Sequence, residues 1–234
     1  PDPDFGRPNP KGTVAKTVVE PTLPPNVALI YARPWEKVAD TIAYNEQLLV
    51  DALAQQIVNR RLVTQARAGS TFSVAEVAQE DISRSADTTT VIITPIGDNW
   101  QKAVVDVRAI IADATTTPPS AADIERELAL FGNALRTMRD SYPFEAAAKQ
   151  ADDIVKAVDI RETIADPDTV VSVYENMRSK FTPERLFAAT KALFAADAVR
   201  ILRTTPVADG ADADVRLAKA LTDSGKKELA QAKG

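Results

Sequence analysis

The chain has 234 residues, 45% of them hydrophobic and 26% charged, with 28 Lys and Arg against 33 Asp and Glu for a net charge of −5. That length supports one large domain or two small ones around a real core, and the mixed signs without a basic stripe argue against nucleic-acid binding. The chain contains neither histidine nor cysteine, which excludes disulfides, thiol catalysis, a histidine general base and any zinc site built on imidazole or thiolate.

No apolar run approaches the roughly 20 residues a membrane helix needs, so no membrane contact is expected. Residues 1–12 are polar and proline-rich and read as a linker rather than a signal peptide. Residues 13–20 and 26–33 are β-branched and bounded by prolines, the pattern of two strands. A long helix is expected over 37–67, with Leu49, Leu53 and Ile57 recurring every fourth residue, Leu48 and Ala52 widening the stripe, and Gly69 stopping it. Strands over 72–78 and 85–94 form a hairpin, with Gln79-Glu80-Asp81 read as its turn.

From Trp100 the pattern becomes helical. Val104, Val107, Ile111 and Ala114 make one stripe, closed by Pro118-Pro119. Ser120 is an N-cap with Asp123 completing a capping-box-like pair, and Ile124, Leu128, Phe131, Leu135 and Met138 follow at helical spacing. That stripe is expected to bury Leu128, Phe131 and Leu135 against the sheet. Ile154, Val155 and Val158 mark a helix over 144–162. Asp166-Pro167 and Thr182-Pro183 each place a cap before a proline at the first helical position. Residues 198–204 return as a last strand. After Pro206 the chain is rich in Ala, Asp and Lys and reads as an exposed linker or tail over 207–234, partly helical at most, whose removal should leave the fold intact. The whole is an α+β domain over 13–206, an antiparallel sheet with helices packed on it.

Several of these segments together resemble one domain of the pitrilysin/insulinase family of zinc metallopeptidases. The first helix ends in Asn59-Arg60-Arg61-Leu62, and Arg67-Ala68-Gly69-Ser70-Thr71-Phe72-Ser73-Val74 leads into the hairpin. Asn99-Trp100, the Thr-Pro-Pro-Ser-x-x-Asp-Ile run before the third helix, and Phe181-Thr182-Pro183-Glu184 fit the family's rhythm, and Asp4-Phe5-Gly6-Arg7-Pro8 resembles its interdomain linker. The resemblance implies a metallohydrolase-like fold over most of the chain. In this family the catalytic domain carries His-x-x-Glu-His, with zinc bound there, and no part of that motif occurs here. The family's last domain supplies an arginine and a tyrosine about seven residues apart. The matching positions here are Gln65 and Phe72, which favours the second domain, a wall of the peptide chamber.

No catalytic and no metal-binding residue is therefore expected in this fragment, and no cofactor; zinc belongs to the catalytic domain of the parent. The expected partners are that catalytic domain, in the same parent chain, and peptide substrates. A bacterial parent would be periplasmic. A stand-alone, catalytically inactive scaffold or assembly subunit of the same fold is the alternative. Arg60, Arg61 and Arg136 are the candidates for lining the chamber or docking a neighbouring domain, although an arginine at a helix end also pairs with a carboxylate to fix that end. Charge reversal at Arg60 or Arg136 is expected to leave the stability of the fragment nearly unchanged. Asp152-Asp153 point about 100° apart on a helix and do not form a compact metal site. Asp166 is spent as a cap, and Trp35 and Trp100 read as core caps.

Overall fold

The computed structural model describes residues 4–160, 162 and 164–231, with side chains described as far as residue 222. The first three residues of the expected linker, the last three of the expected tail and Arg161 lie outside them. Five strands, β1 (Ala15–Val19), β2 (Asn26–Pro34), β3 (Phe72–Ile82), β4 (Ala86–Pro95) and β5 (Ala198–Thr205), form one sheet in the order β1-β5-β2-β4-β3. Among the described residues seven α-helices accompany it: α1 (Ile42–Arg67), α2 (Trp100–Thr116), α3 (Ala121–Ser141), α4 (Ala147–Ile160), α5 (Pro167–Met177), α6 (Pro183–Phe194) and α7 (Ala213–Gln231). The sheet is antiparallel except at one edge, where β1 runs parallel to β5.

The caps form where local chemistry demands them. Ser120, Asp166 and Thr182 each accept the backbone N–H three residues on, starting α3, α5 and α6. The first helix begins later than periodicity suggests, at Ile42, because the Thr41 hydroxyl accepts the Tyr44 N–H and fixes the start there. The hairpin turn falls at Ser83 and Arg84, both with positive φ (46° and 60°), not at Gln79-Glu80-Asp81, which stay in β3. The Asp81 carboxylate accepts the Arg84 N–H at 3.0 Å and supports that left-handed pair, for which the sequence has no glycine or asparagine signal.

One face of the sheet, carrying Leu29, Tyr31, Val77, Val91, Ile93 and Ile201, packs against α1, α2 and α7. A second apolar cluster lies among helices alone: Val50, Leu53 and Ile57 of α1 meet Ile124 and Leu128 of α3, Tyr174 and Met177 of α5, and Leu186 and Leu193 of α6. The α3 stripe thus packs on other helices and not on the sheet. Leu128 is buried, but Phe131 and Leu135 are only partly so, and Phe131 meets the edge of Tyr174 with ring centroids 5.8 Å apart. Gly132 lets α3 approach that ring, since a Cβ there would lie 2.8 Å from Tyr174, whose hydroxyl is held by the Leu128 carbonyl at 2.6 Å.

The segment expected to be an exposed tail contains α7, and Leu217 within it is fully buried in the sheet-side core. Leu217 and Leu221, four residues apart, share the face turned to the core while Val215 is exposed, so a low apolar content still suffices for docking. Asp214 accepts the Thr17 N–H at 2.5 Å and pairs with Lys16, and Arg108 on α2 donates to the Leu221 carbonyl at 3.1 Å. The expected linker also holds on partly: Asn9 accepts from Arg200, and Phe5 lies under the Arg84 guanidinium at 4.4 Å. Truncation after Pro206 should therefore lower the melting temperature by well over a few degrees. Leu217→Ala alone should cost about 2–5 kcal/mol in urea unfolding; no measurable loss would mean that α7 does not dock.

Candidate functional site

The C-terminal half of α1 carries Asn59-Arg60-Arg61-Leu62, and each side chain has a separate partner. Asn59 donates to the Val77 carbonyl at 3.0 Å and accepts the Val77 N–H at 2.7 Å. Val77 lies on an edge strand, so these bonds satisfy the backbone groups that pairing with β4 leaves over. Leu62 is fully buried in the core. Arg60 donates through Nε to Glu127 of α3 at 2.8 Å, and Arg61 reaches Asp113 of α2 at 2.8 Å.

These arginines line a cavity of about 610 Å³ between α1, α2 and α3. Its floor is apolar (Ile57, Ala109, Ile110), and its walls hold Arg60, Arg61 and Arg126 with Asp106, Asp113, Asp123 and Glu127. Three guanidiniums face four carboxylates, so the cavity has no positive excess with which to attract an acidic peptide. The Ser120 hydroxyl, with Arg126 beside it, holds the Asp123 carboxyl below its ordinary pKa. Asp106 accepts from the Thr71 hydroxyl at 2.7 Å. Gln65 lies in the wall, while Phe72 is fully buried in the sheet core.

Arg136 is elsewhere. It sits on α3, where it bonds Glu175 of α5 and the Asn133 side chain. Three candidate arginines thus divide into two in one cavity and one tying two helices together on the surface. The Glu127 carboxylate is almost fully buried, with its side chain 6% exposed, and Arg60 is its partner. Removing that cation strands a buried charge, so a stability cost is predicted at Arg60 where the sequence alone suggested nearly none.

A second cavity, about 410 Å³, opens where β2, β3 and β4 meet α1 and the end of α4. Glu36, Asp51, Glu80, Asp81, Asp87 and Glu162 line it beside Trp35, Tyr44 and Arg33. Arg33 is turned to the C-terminus of α6, donating to the Leu193 and Ala195 carbonyls at 3.0 Å each. Burial, with Asp81 repelling it, raises the Asp87 pKa; burial also raises Asp51, against the hydrogen bond from Gln47. Burial and the Glu162 carboxylate, bonded at 2.8 Å, keep the Tyr44 phenol protonated well above its usual range.

Among the described residues no group of three or more His, Cys, Asp or Glu is arranged to hold a metal ion. With no imidazole or thiolate in the chain, its donors do not fit zinc.

Two measurements follow from this geometry. Arg60→Ala should cost about 3 kcal/mol in urea unfolding because it leaves a buried carboxylate unpaired, whereas Arg136→Ala, at a half-exposed pair, should cost under about 1 kcal/mol. Equal costs would remove the distinction between the two arginines. Asp87 binds its proton more tightly folded than unfolded, so its contribution is full below the unfolded pKa and lost as pH rises through the raised folded value. Asp87→Asn should therefore stabilise the protein increasingly from pH 4 to pH 7, and an advantage independent of pH would refute that assignment.

No protein-family model and no curated protein sequence matches the chain. Solved structures do. The periplasmic protease PqqL from Escherichia coli superposes with a TM-score of 0.75 at 15% identity, over 91% of this chain and 24% of that one. A predicted insulinase family protease from Yersinia pestis gives 0.77 at 10% identity, over 95% of this chain and 49% of that one. A peptidase M16 inactive domain from Pseudomonas fluorescens gives 0.55 at 10%, over 82% and 43%. The chain thus spans about a quarter to a half of these structures, and its fold is that of the pitrilysin/insulinase-type peptidase domain.

Proposed function

We propose that the chain is a non-catalytic domain of a zinc-dependent metallopeptidase. It packs beside the catalytic domain of the same polypeptide, walls the space in which peptides are cut, and excludes folded proteins from it. The supporting observation is the match of nearly all of this chain to one segment of protease polypeptides two to four times as long, 49% of one and 24% of another. The match is joined to a composition that cannot build an imidazole zinc site. Zinc bound elsewhere in the polypeptide would supply the activated water. The contribution of this chain is a wall in which Arg60, Arg61 and Arg136 are engaged by carboxylates and not poised to grip a substrate. The sheet face opposite the core, where Val74, Glu76 and Ile92 are exposed, is open to serve as the chamber wall. A bacterial parent would work in the periplasm, as PqqL does.

Metal analysis and peptide hydrolysis test this on the complete polypeptide that the gene encodes. About one zinc per chain and hydrolysis abolished by a chelator are expected there, with no zinc retained after dialysis by residues 1–234 alone. A complete polypeptide with neither zinc nor turnover would make the chain an inactive scaffold instead. Zinc held tightly by residues 1–234 would overturn the proposal outright.

A further inference from the structure

α4 is the one described α-helix, among those whose side chains are described throughout, that buries none of its residues. Its sequence nonetheless carries an apolar stripe, Ala151, Ile154, Val155 and Val158, at the three-and-four spacing of one helical face. Ile154, Val155 and Val158 are 49%, 67% and 64% exposed, and Phe144, just before the helix, is 88% exposed. Such a face in water is unfavourable twice over. Its apolar area stays hydrated, and a 14-residue helix without tertiary packing is only marginally stable. An exposed apolar helix face of this kind marks a docking site.

We propose that the α4 face, with Phe144 as its anchor, docks an adjoining domain of the same polypeptide. This rests on the reading of the chain as one domain of a longer enzyme. The solved first half of PqqL is matched over 93% of this chain and only 45% of its own length, so that structure holds about as much chain again beside the matched segment. The rim of the face favours a partner that is not a second copy. Glu145, Asp152, Asp153 and Asp159 outnumber Lys149 and Lys156 there, with Arg84 of the hairpin turn offsetting Asp159. Two copies face to face would bring like surpluses together. The occupant is therefore an apolar surface on the adjoining domain.

These 234 residues have no cysteine, so within them a thiol introduced at Val155 or Val158 is the single labelling site, and its peptide is distinct from any cysteine peptide elsewhere. Each is placed singly in the complete polypeptide encoded by the gene, and its labelling by a maleimide is read by peptide mass spectrometry, native against urea-unfolded. Labelling at both positions should be at least about tenfold slower in the native protein, independent of protein concentration. Rates close to the unfolded ones would overturn the proposal. Slowing that grows with concentration would assign the face to a second copy and overturn it equally, and a gene that encodes nothing beyond these residues would leave no adjoining domain. Peptide hydrolysis on the same preparation separates the two readings. Protected thiols without turnover would leave the docking surface standing and the peptidase reading fallen, whereas turnover with freely labelled thiols would do the reverse.

Discussion

Asn59 locks helix to sheet. Its amide fills both free backbone positions of Val77 on the outer side of β3, where an unpaired N–H and C=O buried under a helix would be costly. This bond pair sets the rotation of α1. With Asn59 directed at the sheet edge, Val58 and Leu62 enter the sheet core, Ile57, Leu53 and Val50 enter the helical core, and Arg60 is directed at Glu127. One helix therefore serves two cores, which is why its apolar residues do not fall on a single stripe.

The other edge of the sheet is treated alike. Asp214 of α7 takes the outward N–H of Thr17 on β1, and its carboxyl is held below the ordinary range chiefly by that backbone bond and by Lys16. A carboxylate at one border and an amide at the other block the template that an open strand offers to foreign chains. The motif Asn-Arg-Arg-Leu thus has a structural meaning in this chain. Each of its side chains fixes an element, and the fold can persist with no catalytic group in it.

The features legible in the sequence were those set by neighbours along the chain. Ser120, Asp166 and Thr182 act within three residues, and the strands and most helices follow from apolar spacing. Features set by distant partners were not legible. Nothing near Arg60 indicates Glu127, and nothing near Thr17 indicates Asp214. The left-handed pair Ser83-Arg84 has no glycine or asparagine behind it; it is held by the Asp81 carboxylate and by the pairing of β3 with β4 on either side. The weak apolar content of residues 207–234 concealed α7 because burial there depends on Leu217 meeting a surface assembled from elsewhere. For the candidate site, the sequence identified Arg60 and Arg61 as a unit, but not the carboxylates that neutralise them nor the acidic cavity around Asp87.

The place of β1 in the sheet has a consequence for how the protein is made. β1 pairs only with β5, Ala15 against Ile201, and β5 stands between β1 and β2. As the chain leaves the ribosome, the hairpin and β2 can associate early, but the first strand has no place to pair until nearly the last strand has been synthesised. Such distant pairing is slow, because the loop must close before the contact contributes anything. For most of its synthesis the β-branched segment Thr17-Val18-Val19 is thus an unpaired strand awaiting its neighbour, open to association with other chains until β5 emerges.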